Sequence, residues 1–132
     1  IMLSHSDDEG YTWSFAKKSD IPNPGASIEV INLKSGRWLL VYNDTDDGRY
    51  SIAAAISDNE GKSWKWKRNL EKVAGGSFSY PSVIQAKDGK IHVTYSYQLS
   101  DSEKSIKHVS FEEEWITGNE NLRYECFKAK SV

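Results

Sequence analysis

Two stretches of this chain repeat each other at a fixed spacing, and that constrains the fold more than any other feature. Laid over Tyr80–Ser96, the segment Ser27–Asn43 pairs Val30 with Val83, Ile31 with Ile84, Lys34 with Lys87, Gly36 with Gly89 and Tyr42 with Tyr95, each pair 53 positions apart. A second similarity, 51 positions apart, joins Ser6-Asp-Asp-Glu-Gly-Tyr-Thr-Trp13 to Ser57-Asp-Asn-Glu-Gly-Lys-Ser-Trp64. A period of this length is the mark of a repeat architecture, in which one supersecondary unit stacks on the next.

Each unit divides into short strands. Residues 28–33 and 81–86 come first, a Lys-x-Gly turn follows, and 38–43 and 90–97 return. Third strands are expected over 51–57 and 105–111, and fourth strands over 63–68 and 123–128. Ile91, Val93, Tyr95 and Tyr97 alternate with His92, Thr94 and Ser96, the period of two that marks a strand with one buried face. His92 and His108 then read as sheet-surface residues rather than ligands. No segment has a helical period, and Glu112–Glu114 reads as a solvated turn. Four strands in about fifty residues make a β-propeller blade. The expected fold is therefore all-β: a partial propeller of about two and a half four-stranded antiparallel blades. Residues 1–20 end one blade, 21–70 form a second and 71–132 a third. Blades bury their faces on one another, so this number does not close a ring. The chain is then expected to be a piece of a longer propeller, or a homo-oligomer that completes the ring from several copies. The opening Ile1-Met2-Leu3 reads as the middle of a strand, with no signal-peptide features.

The composition excludes several functions. Seventeen basic against nineteen acidic residues leave a net charge of −2, so no basic footprint points to nucleic acid. No apolar run has the length of a membrane helix, and no membrane partner is expected. Cys126 is the only cysteine, so the chain has no internal disulfide and no cysteine metal site; within the run from Tyr124 it reads as a packed thiol. Asp44-Thr-Asp-Asp-Gly48 is acidic but lacks the spacing and distal glutamate of a calcium loop, so a plain turn is expected. No cofactor or metal is predicted. Asn43-Asp44-Thr45 is a formal glycosylation sequon. Five Trp and seven Tyr suit β-structure, and also suit surfaces that face carbohydrate.

The pattern S-x-D-x-G-x-T-W is complete in Ser6, Asp8, Gly10, Thr12 and Trp13. Ser57, Asn59, Gly61, Ser63 and Trp64 repeat it with an amide and a serine substituted. Such a sequence suits a tight turn between third and fourth strands. The Asp or Asn side chain accepts hydrogen bonds from turn amides, glycine takes a backbone angle that other residues resist, and the Trp packs inward over the turn. These motifs resemble the Asp-box (BNR) repeats of sialidases and related propellers. In that family the turns lie on the rim away from the active site, which implies a structural role.

The resemblance extends over residues 21–111, through Ile21-Pro-Asn-Pro-Gly-Ala-Ser27, Gly36-Arg-Trp-Leu-Leu-Val-Tyr-Asn-Asp44, Gly48-Arg49, Tyr80-Pro-Ser-Val-Ile-Gln85 and Ile106-Lys-His-Val109. These are similar to the C-terminal half of bacterial-type sialidase-like proteins. There a tyrosine opens the first strand of the last blade, and Tyr80, Ser82, Asp88, Gly89, Ile91 and Tyr95 reproduce its context. The resemblance gives Tyr80 the role of catalytic nucleophile. Tyrosine is the known exception to the two-carboxylate rule of glycosidases, and its phenol needs a neighbouring base. It also makes Arg49 a substrate-binding residue of the carboxylate triad, a task suited to a planar guanidinium. Glu29 and Asn23 fall where related proteins carry polar pocket residues. Ser96 stands where the family pattern ends in glutamate, and the remaining arginines and acid/base groups match nothing in this chain. The resemblance thus implies a fragment of a sialidase-like glycoside hydrolase acting on glycans, incomplete alone. The alternative is a non-catalytic module that binds glycan or protein. An extracellular or periplasmic location goes with either.

Overall fold

The computed structural model describes residues 1–118 and the backbone of 125–128. The described residues are almost entirely β, arranged in three antiparallel sheets. β1 (Met2–Leu3) pairs with β2 (Lys17–Lys18) in a two-stranded sheet. The second sheet runs in the order β3 (Glu29–Asn32), β4 (Trp38–Tyr42), β5 (Ser51–Ser57), β6 (Trp66–Lys72). The third consists of β7 (Ser77–Gln85), β8 (Ile91–Ser100), β9 (Glu103–Phe111) and β10 (Glu125–Lys128), again in chain order. Two four-stranded meanders and a two-stranded remnant form a partial propeller of two and a half sheets. β10 pairs with β9 in the register Cys126↔Val109. Residues 123 and 124 and the Cys126 side chain lie outside the described residues.

The two central strands of the middle sheet, β4 and β5, are buried on both sides, and their sequences show why. Along β4 and β5, Leu39, Val41, Ile52, Ala54 and Ile56 face the third sheet. They pack there with Phe78, Val83, Ile91, Val93, Tyr95 and Val109. The intervening Leu40, Tyr42, Ala53 and Ala55 face the other way, against Ile1, Ile21 and Trp64. β5 carries three consecutive alanines with no exposed surface, flanked by the equally buried Ile52 and Ile56, the continuous apolar run of a strand covered on both faces. β7 lies against β3, β4 and β5, so the innermost strand of one sheet seats on its predecessor.

The repeat is visible in the hydrogen bonds. In the turn after β3, Gly36 N donates to Leu33 O and Leu33 N to Arg37 O. In the turn after β7, Gly89 N donates to Ala86 O and Ala86 N to Lys90 O. The two turns are also tied together. Lys34 Nζ donates to the carbonyls of Ala86 and Lys87, at 2.8 and 2.6 Å, and Lys34 N donates to Gln85 Oε1 at 2.7 Å.

Three expectations need correction. Glu112–Glu114 is not a solvated turn: α1 (Glu113–Thr117) begins there, and Gly118 ends it in the left-handed conformation. Five residues are too few to show a helical period. The helix is held by tertiary contacts: Arg37 pairs with the buried Glu113 at 2.9 Å, and Arg68 donates to Trp115 O at 2.6 Å. β6 starts at Trp66 rather than 63, because the preceding turn runs through Lys65 N donating to Ile56 O. β7 starts at Ser77 rather than 81, so Tyr80 lies inside the strand. No helix among the described residues is long and apolar enough to cross a membrane.

Candidate functional site

The Ser6–Trp13 and Ser57–Trp64 turns share one hydrogen-bond plan. Gly10 N donates to Ser6 Oγ at 2.8 Å, and Gly61 N to Ser57 Oγ at 2.9 Å. Thr12 N donates to Asp8 Oδ1 at 2.8 Å, and Ser63 N to Asn59 Oδ1 at 2.9 Å. Each turn holds a glutamate, Glu9 or Glu60, at positive φ just before its glycine, so the Asx and Ser bonds support two successive left-handed residues. One bond runs in opposite directions in the two copies. Thr12 Oγ1 donates to the Asp8 carboxylate at 2.6 Å, whereas Asn59 Nδ2 donates to Ser63 Oγ at 2.8 Å. That bond from Thr12, then the one from its amide, holds the Asp8 carboxyl below its ordinary value. Trp13 does not pack inward. It is 64% exposed, and its indole Nε1 donates to Gly10 O, because the two-residue strands beside it offer no sheet face to cover it. Trp64 is partly buried against the middle sheet, and its Nε1 has no hydrogen-bond partner among the described residues.

Tyr80 and Arg49 are brought together, and the local backbone explains how. The β7–β8 register shifts between Ser79 and Ser82, and Tyr80 sits in this bulge with φ of 56°. A non-glycine residue in that region is strained, and a bulge re-aims its side chain. Tyr80 is accordingly turned outward, 63% exposed, from a strand whose neighbours Ser79 and Pro81 are buried. The β4–β5 loop delivers Arg49. Its carbonyl accepts from Phe78 N at 2.8 Å, and Asn43 Nδ2 bridges Ser51 O at 2.6 Å and Phe78 O at 2.9 Å. The Arg49 guanidinium then lies 5.4 Å from the centre of the Tyr80 ring, within cation–π range.

The two residues open onto a shallow depression of about 560 Å³, to which Ser77, Ser79, Ser96, Gln98, Lys104 and Ser105 also contribute. Among the described residues no carboxylate lines it. Ser96 and Gln98 belong to the outward positions of the β8 alternation, a signal already present in the sequence. Lys104 and Ser105 arrive through the β8–β9 pairing Gln98↔Lys104 and Tyr97↔Ser105, which no local motif announces. Glu29 and Asn23 lie elsewhere. Glu29 pairs with Val41 at the start of β3, and Asn23 Oδ1 accepts from Ala26 N in the preceding loop. The Asn23 Nδ2 is buried without a partner among the described residues.

Two other sequence features take on structural roles. Asn43, the first residue of the sequon, is completely buried, so the folded chain offers no amide there for glycosylation. In the acidic loop, Asp44 pairs with Lys67 at 2.7 Å and accepts from Ser51 and Asn69. Burial raises the Asp44 carboxyl, but these three donors outweigh it and hold the group below its ordinary value. Next to it, burial and then the Asp44 charge push the Tyr42 phenol up to about 12. Among the described residues there is no cluster of three or more metal-ligating side chains.

No curated protein and no solved structure matches the chain. A family model described as a BNR repeat-like domain matches residues 1–93, which take in both Ser–Trp turns, Arg49 and Tyr80. With well over half its length matched and the repeats visible in its hydrogen bonds, the chain belongs to the BNR repeat-like domain family.

Proposed function

We propose that the chain binds an anionic glycan in the Arg49–Tyr80 depression, as part of a sialidase-like propeller. The carrying observation is the make-up of that depression: a guanidinium on an outward-turned tyrosine ring, a second cation at Lys104, and a set of serine hydroxyls with the Gln98 amide. A cation–aromatic pair suits a ligand with a carboxylate on a partly apolar ring, and hydroxyls suit its remaining oxygens. A lining without carboxylates favours binding over hydrolysis, because glycoside cleavage needs a proton donor for the leaving group.

Sialidase-like hydrolysis with Tyr80 as nucleophile is the second reading. The strained backbone at Tyr80 favours it, since strain of that kind is stored at functional positions. One pair of experiments separates the two. Titration of the ¹⁵N-labelled chain with a sialylated trisaccharide should move the amides around Ser79 and Ser96, while the asialo sugar should not. Arg49→Ala should weaken the effect at least tenfold. If both sugars act alike, or Arg49→Ala binds as well as the unaltered chain, the binding reading fails. Turnover of a fluorogenic sialoside that disappears in Tyr80→Phe would establish the second.

A further inference from the structure

The outward face of the third sheet holds a histidine pair that the sequence does not announce. His92 and His108 are sixteen residues apart on β8 and β9. The register Thr94↔His108 and His92↔Ser110 sets them diagonally across the strand pair. His92 Nδ1 and His108 Nε2 are 3.0 Å apart. The ring centres are 5.2 Å apart and the planes differ by 12°. Two nearly coplanar rings meeting edge to edge have that separation, with one N–H directed at the other nitrogen. Both rings are half-buried and line a depression of about 430 Å³ with Ser82, Thr94, Ile84 and Ala86. Among the described residues no charged side chain lines it.

We infer that His92 and His108 form a binding site for a divalent transition-metal ion, as two imidazole ligands of one centre. The 3.0 Å between their nitrogens is the length of the hydrogen bond they share, so both nitrogens already stand within reach of one ion. Imidazole nitrogens suit Ni(II) and Cu(II), with affinity highest for Cu(II). The ion sits to the open side of the line joining the nitrogens, reached by turning each ring outward about its Cβ–Cγ bond. The ring that carries the shared hydrogen moves it to its other nitrogen, so both imidazoles bind the ion in their neutral form. Two protein ligands leave positions for water, and the Ser82 and Thr94 hydroxyls lie in the same depression to accept hydrogen bonds from it.

The test uses the untagged chain. Calorimetric titration with NiCl₂ should give one ion per chain. His92→Asn and His108→Gln should each weaken binding at least tenfold, and together they should abolish it. Electron paramagnetic resonance of the unaltered chain with one equivalent of Cu(II) should show two equatorial nitrogens, a readout that depends on no variant's folding. Stoichiometric Ni(II) binding that survives the double substitution would overturn the assignment. So would either single variant with unchanged affinity, or an unaltered chain that binds no Ni(II) at millimolar concentration.

Discussion

Replacing Asn43 tests how the β4–β5 loop is held against β7. Its amide nitrogen donates to Ser51 O at 2.6 Å and to Phe78 O at 2.9 Å, and the residue is fully buried. Losing two buried hydrogen bonds costs roughly 1 kcal/mol each, and the carbonyls left with fewer donors add about 1 more. Against this, Asn43 Oδ1 is itself buried without a partner among the described residues, so removing it returns part of the cost, and the cavity left behind adds a little. Asn43→Ala should therefore lose about 2–3 kcal/mol, which lowers the melting temperature by roughly 10 °C in a chain of this size. Asn43→Asp, nearly the same shape, should be worse than alanine, because it turns a carboxylate towards two carbonyl oxygens with nothing to pair it. Urea denaturation at pH 7 of the three chains measures both differences. Should Asn43→Asp prove as stable as Asn43→Ala, the amide does not donate to these carbonyls and the account of the loop is wrong.

Three further outcomes can be checked. Glu71 on β6 accepts from Tyr95 on β8 at 2.6 Å and pairs with the buried Lys107 on β9, so it links two sheets through the core; Lys107→Met should cost about 3–5 kcal/mol by leaving a buried carboxylate without its cation, and combining it with Glu71→Leu should recover much of that in urea melts. Asp44 has a folded-state pKa below its ordinary 3.8, so its contribution is fully present above pH 3.8 and lost as pH falls through the lowered value; the stability gap between the unaltered chain and Asp44→Asn should close over that acid range. Asp8→Asn should leave thermal stability nearly unchanged at pH 7 and remove the acid titration of the Thr12 amide resonance, because the Asn59 turn already shows the amide version of the same bonds.

The sequence discloses the architecture because its signals are local and repeated. The offset between Val30 and Val83 and the alternation from Ile91 to Tyr97 place strands directly, and β4, β5, β8 and β9 lie where these patterns put them, within a few residues at their ends. What it conceals depends on contacts between distant residues. α1 is too short to have a period and stands on Arg37 and Arg68 from the other sheet. The bulge at Tyr80 arises from a register shift between strands, so the sequence puts this residue at a strand start rather than in mid-strand. Arg49 and Tyr80 could be named from the family pattern. Lys104 and the His92–His108 contact could not, since strand register alone decides which residues of β8 and β9 become neighbours.

The reversed bond between the two Ser–Trp turns bears on how such repeats drift. Aspartate and asparagine codons differ by a single base, and so do many threonine and serine codons. Either change in Asp8–Thr12 leads towards the Asn59–Ser63 arrangement, where the Ser and Asx bonds to the turn amides survive and the bond between the Asx and hydroxyl side chains reverses direction. The Asn59–Ser63 turn thus keeps the same fold with a neutral amide in place of a formal charge. Searches that demand the acidic letter will therefore undercount the blades of such proteins, whereas a criterion built on serine, glycine and tryptophan will find them.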